Sequence, residues 1–126
     1  MTAAGGLRGV VVGHGGIAAA LVDAAEEISG IRGVLVPVSN SGLGKEALEQ
    51  RVLQALDGQP AVVFVDLPSG SCLFAAMRQL PGRPDVRVVT GVNLIMLLDF
   101  LFHREESPEA AAQRAAASGA KGIGAR

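Results

Sequence analysis

The chain contains no tryptophan, no tyrosine and one cysteine, Cys72. A single thiol excludes an internal disulfide framework and fits a reducing compartment, the cytoplasm. Four phenylalanines are the whole aromatic complement, so no aromatic platform for stacking bases or sugars is available. An excess of either charge is also missing. Eleven Lys and Arg stand against twelve Asp and Glu, for a formal net charge of −1, which removes the electrostatic case for nucleic acid or an anionic membrane surface. The longest apolar run, Leu94 to Phe102, is broken by Asp99 and is too short to span a bilayer. Met1 to Arg8 lack the apolar core of a signal peptide. Two histidines and one cysteine, widely spaced along the chain, predict no metal site.

What remains is a chain of 126 residues, 49% hydrophobic and 18% charged. That is enough apolar material for a core in one domain, residues 1–126. Arg8 to Val12, Val34 to Val38, Ala61 to Val65 and Val86 to Thr90 are short β-branched runs, and they read as buried strands. Pro37 suits an edge strand or a strand end. Between them the apolar period becomes helical. Ile17, Leu21, Ala24, Ala25 and Ile28 share one face, with Gly30 as a stop; Leu48, Val52 and Leu56 mark a helix over Lys45 to Leu56. Leu73 to Leu80 and Leu94 to His103 are shorter helical stretches. Ser107-Pro108-Glu109 opens an alanine-rich helix running to Ser118. Gly119 to Arg126 is a tail, either strand or frayed. The alternation predicts an α/β fold: an open, mainly parallel four-stranded sheet in the order 2-1-3-4, with helices on both faces.

In such sheets ligands bind beyond the carboxyl ends of the strands, where the winding reverses. Here that point lies between strands one and three. His14 follows strand one, in Gly13-His14-Gly15-Gly16, and Asp66 ends strand three. A carboxylate that accepts one ring N–H fixes the imidazole tautomer and frees the other nitrogen. The helix start at Gly15 and Gly16 offers backbone N–H groups to a phosphate dianion. Ser69, Ser71 and Asn93 lie on neighbouring loops, and Ser71 also suits the N-cap of the next helix. Cys72 reads as packing, and His103 as a solvent-facing residue near a helix end.

Two phosphate-binding fingerprints compete. Gly13-His14-Gly15-Gly16-Ile17-Ala18 fits the dinucleotide pattern, but Val36-Pro37-Val38-Ser39-Asn40 lacks the ribose-binding acid. Gly42-Leu43-Gly44-Lys45 is followed by Glu46 where a phosphate loop needs Ser or Thr.

Gly13-His14-Gly15, Val65-Asp66-Leu67, Ser69-Gly70-Ser71, Thr90-Gly91-Val92-Asn93-Leu94 and Met96-Leu97 resemble enzyme IIA domains of the mannose/sorbose class. These domains belong to the bacterial phosphoenolpyruvate-dependent sugar phosphotransferase system. The resemblance covers nearly the whole chain. It implies a histidine phosphocarrier without a cofactor. His14 would take a phosphoryl group from HPr and pass it to a IIB component, with Asp66 orienting it and Ser71 as a hydroxyl contact. Backbone N–H groups around Gly15, Gly16, Gly70 and Ser71 would hold the phosphoryl group, with Ser69 and Asn93 in supporting loops. The resemblance also implies a homodimer in which a C-terminal strand, here Lys121 to Arg126, crosses to the partner's sheet. The alternative function is a regulatory module that reads phosphotransferase status without transporting sugar. Four positions depart from the family pattern: Ser69 replaces a glycine, Cys72 a proline and Phe74 an asparagine, and Ile95 stands where proline is usual.

Overall fold

The computed structural model describes residues 6–126. The expectation about a signal peptide falls largely on residues 1–5, outside the described residues. Four strands form one sheet in the order β2-β1-β3-β4. They are β1 (Arg8–Gly13), β2 (Leu35–Ser39), β3 (Ala61–Val65) and β4 (Val86–Thr90), and every neighbouring pair is parallel. This is the α/β sheet order that the alternation predicts. Pro37 sits on β2, an outer strand, where a missing N–H leaves no ladder bond unmade on the open side.

Side-chain alternation divides the core into two layers. Val11, Val62, Phe64 and Val89 face α1 (Ile17–Ser29), α4 (Leu94–Leu101) and α5 (Pro108–Lys121). Val10, Val12, Val63 and Val65 face α2 (Lys45–Leu56) and α3 (Ser71–Met77). Both central strands are therefore covered on both faces, which is why they read as unbroken apolar runs. Phe64 and Phe100 meet edge to face, with ring centroids 5.3 Å apart at 74°.

The helix ends follow local chemistry. Gly30 takes the left-handed conformation after α1, and its N–H reaches the Glu26 carbonyl. Ser107 caps α5 by accepting from the Ala110 N–H, with Pro108 in the first turn. Some boundaries differ from the sequence reading. β1 runs on through Gly13, and β2 is shifted by one residue. α3 opens two residues earlier and closes at Met77. Gly70 is its cap and Ser71 its first residue, so Ser71 is not the cap. α5 continues past Ser118 to Lys121, and residues 122–126 form no strand in this chain.

Strand register places the site. Gly13 lies opposite Ser39, and Val12 opposite Val65. The residues just beyond these pairs, His14, Asn40 and Asp66, therefore emerge together at the carboxyl edge of the sheet.

Candidate functional site

Gly13 is the pivot of the first loop. A Cβ there would come 2.5 Å from Ile17 Cγ2 and 3.5 Å from Asp66 Oδ2. A side chain there would have to push the Ile17 side chain aside, while the carboxylate would be met at ordinary contact distance. The Asp66 N–H continues the ladder by donating to the Val12 carbonyl at 3.2 Å, which fixes the carboxylate beside the turn.

Asp66 Oδ2 accepts two hydrogen bonds from His14, from its backbone N–H at 2.9 Å and from ring Nδ1 at 2.8 Å. The two side chains differ sharply in exposure: 43% for His14 and 9% for Asp66. Burial alone would raise the Asp66 pKa. The His14 backbone N–H, its ring N–H, its electrostatic attraction and the nearby Leu67 N–H outweigh burial and hold the carboxyl below its ordinary range. An ionised carboxylate only accepts, so Nδ1 carries the ring proton. In the neutral ring, Nε2 then keeps its lone pair on the exposed side.

The loop after β2 braces this turn. Asn40 Oδ1 accepts the Gly15 N–H at 3.3 Å, the Asn40 N–H reaches the Gly13 carbonyl at 3.2 Å, and the Ser39 hydroxyl donates to the Gly15 carbonyl at 2.8 Å. Composition marks Ser39-Asn40-Ser41 only as a loop. Its place after the strand paired with β1 was the signal that could have singled it out.

The other expected residues divide. Gly16 caps α1, and no side chain caps that helix; the Ile17 N–H turns back to the His14 carbonyl at 3.3 Å. The Gly15 N–H is taken by Asn40. Gly70 is exposed in a conformation reserved for glycine, φ 93° and ψ −170°, and opens α3 with the exposed Ser71 beside it. Ser69 is exposed in the same turn. Asn93 works elsewhere. It caps α4 by accepting the Met96 N–H at 3.0 Å, and its amide donates to the Gly119 carbonyl at 3.2 Å, which ties α4 to α5. His103 is partly exposed, with Nδ1 2.8 Å from the Asp99 carbonyl oxygen.

Cys72 is fully buried, as a packing residue should be, yet its Sγ lies 3.7 Å from His14 Nδ1. Burial pushes the thiol pKa up, the Asp66 charge pushes it further, and the Ser71 hydroxyl partly opposes both. The thiol is protonated at neutral pH as a result. Sequence reasoning also missed a contact bordering a small cleft with Gly70 and Ser71. Lys45 Nζ lies 4.2 Å from the centroid of the exposed Phe74 ring.

No helix among the described residues is long and apolar enough to cross a membrane. Comparison with curated proteins gives no match. Solved structures share the fold. The phosphotransferase system component EIIA from Streptococcus agalactiae superposes with a TM-score of 0.87 at 19% identity, covering 94% of this chain and 96% of that one. The mannose/sorbose specific IIA subunit from Enterococcus faecalis gives 0.85 at 21%, over 96% and 95%. The PTS IIA protein associated with the fucose utilization operon from Streptococcus pneumoniae gives 0.80 at 19%, over 95% and 93%. The family described as PTS system fructose IIA component matches residues 9–117, which takes in the strands except Arg8 of β1, the His14 turn and most of α5. The chain belongs to that IIA family of the sugar phosphotransferase system, and a phosphotransferase role in general terms comes with it.

Proposed function

We propose that His14 is the phosphoryl acceptor, taking its group from HPr and passing it to a IIB component. The observation that carries this reading is the 2.8 Å contact between His14 Nδ1 and Asp66 Oδ2 beneath an exposed imidazole. With the proton held on Nδ1, the Nε2 lone pair attacks phosphorus as the bond to the donor breaks. The ring gains positive character during transfer, and Asp66 stabilises it. The uncapped start of α1 supplies N–H groups and a positive dipole end for the phosphoryl oxygens. Gly16 takes part there, and Gly70 and Ser71 line the facing turn. The Gly15 N–H serves by holding the turn through Asn40. No metal or organic cofactor takes part in this step. The whole chain acts as one unit in the cytoplasm, where HPr and IIB would meet it. It works as a homodimer, a reading supported by the outer position of β4 and by a tail in which Ile123 is 78% exposed.

The test is intact mass after incubation with phosphoenolpyruvate, enzyme I and HPr. Wild type gains one acid-labile phosphoryl group, and His14→Ala gains none while keeping its circular dichroism spectrum. Normal labelling of His14→Ala would overturn the assignment. A protein that is labelled at His14 but passes nothing to any IIB component would serve regulation instead.

A further inference from the structure

We propose that His14, Asp66 and Cys72 form a three-ligand site for a thiophilic divalent cation, Zn²⁺ foremost, and that occupying it withdraws His14 from phosphoryl transfer. The binding claim stands on geometry alone; the withdrawal rests on the function proposed above. One potential ligand atom from each residue lies within 4.8 Å of the other two. In a tetrahedral zinc site, bonds of roughly 2.0–2.3 Å put ligand atoms roughly 3.4–3.6 Å apart. His14 Nδ1 and Cys72 Sγ are already 3.7 Å apart. Nδ1 and Asp66 Oδ2, now joined through a proton at 2.8 Å, must separate by roughly half an ångström when a metal replaces that proton.

The carboxylate supplies the independent observation. Its side chain is only 9% exposed, and Oδ1 is buried without a hydrogen-bond partner. A buried carboxylate oxygen left in this state is costly, and a cation beside the carboxylate would offset that cost electrostatically even when Oδ2 is the atom it binds. Imidazole, carboxylate and thiolate are the ligand types that zinc takes, and three protein ligands leave a fourth position for water. Cys72 is covered, so the metal enters as the His14 ring swings aside.

The proton balance links the site to catalysis. Asp66 is already ionised. Metal binding releases the Cys72 thiol proton to solvent, and the His14 ring moves its proton from Nδ1 to Nε2 by way of water. The bound state thus has Nδ1 on the metal and a proton on Nε2, where the nucleophilic lone pair had been. Metal occupancy and phosphoryl acceptance at Nε2 exclude one another. The sequence-based expectation of no metal site weighed spacing along the chain, and the fold cancels that spacing.

Cobalt provides the direct test. Co²⁺ is titrated into the metal-free protein and followed by absorption, then displaced with Zn²⁺. The proposal expects one equivalent, a thiolate-to-cobalt charge-transfer band in the near ultraviolet, and loss of that band in Cys72→Ala and Cys72→Ser. In both variants and in Asp66→Asn, Zn²⁺ binding should weaken by at least about tenfold, the loss that even the outer partners of a metal ligand produce. His103→Ala should bind as wild type does. Absence of the band in folded wild type, or equal Zn²⁺ binding by wild type and both Cys72 variants, would overturn the site. For the functional half, phospho-HPr freed of enzyme I is mixed with wild type and Cys72→Ala, with and without Zn²⁺. Zinc should suppress labelling of wild type and spare Cys72→Ala; equal labelling of zinc-loaded wild type would overturn the exclusion. A wild type that is never labelled, even without zinc, counts against the phosphoryl reading, while the cobalt spectrum still decides the metal site.

Discussion

Asp66 does two jobs with one oxygen. Oδ2 holds the His14 backbone and its ring together, so the carboxylate sets both where the histidine sits and which nitrogen is free. Asp66→Asn keeps the shape and removes the charge. The amide oxygen can still accept one of these bonds, but the stabilisation of a positively charged ring is lost. The rate of labelling by phospho-HPr is expected to fall by roughly 100-fold, a typical contribution from a positioned proton-handling group. Rapid-quench kinetics would measure it, and an unchanged rate would mean that the pair is only structural. This pair was legible in the sequence because a rule of topology converts two distant residues into neighbours. Asn40 was not legible. Its side chain meets the Gly15 N–H only because β2 pairs with β1 in one register, and loop composition carries no register. Cys72 was half legible: its burial followed from its residue type, whereas its distance from His14 depends on where α3 begins.

Among the elements, α2, β3 and β4 could be read to the residue, because each apolar run is bounded by glycine, proline or a charged residue. The helix ends that moved did so for tertiary reasons. α5 runs through Gly119, a residue that intrinsic propensity disfavours. Gly119 stays helical because it is the contact point with α4. A Cβ there would come 2.5 Å from Met96 Cγ and 3.1 Å from Asn93 Oδ1. Propensity alone would have Gly119→Ala stabilise an exposed helix by about 1 kcal/mol. The structure predicts the opposite sign, a loss of about 1–3 kcal/mol from overpacking. Urea unfolding would decide between them, and a higher midpoint for Gly119→Ala would contradict the packing described. α3 shows the same lesson at its start. Its first turn begins at Ser71 because Gly70 adopts backbone angles open only to glycine, two residues before the apolar period becomes visible at Leu73.

At the scale of the whole molecule, the sheet lies between two apolar layers, and His14 and Asp66 stand on its carboxyl edge. Phe100 anchors one layer, fully buried against Phe64. Phe100→Ala is expected to cost about 3–5 kcal/mol, read as a lower urea midpoint, with residual folded protein still labelled at His14. A loss below about 1 kcal/mol would show that the layer repacks freely. The sheet order could be read in advance because right-handed crossovers leave few alternatives. The contact between α4 and α5 could not, since nothing in an alanine-rich helix names its neighbour.

The central claim is that Asp66 holds the Nδ1 proton and thereby assigns the phosphoryl group to Nε2 of His14. The most direct measurement is phosphorus–nitrogen coupling by nuclear magnetic resonance on protein labelled with ¹⁵N-histidine and phosphorylated by phospho-HPr. Coupling of phosphorus to Nε2 of His14, with Nδ1 still carrying its proton, is the predicted result. Coupling to Nδ1, or to either nitrogen of His103, would contradict it.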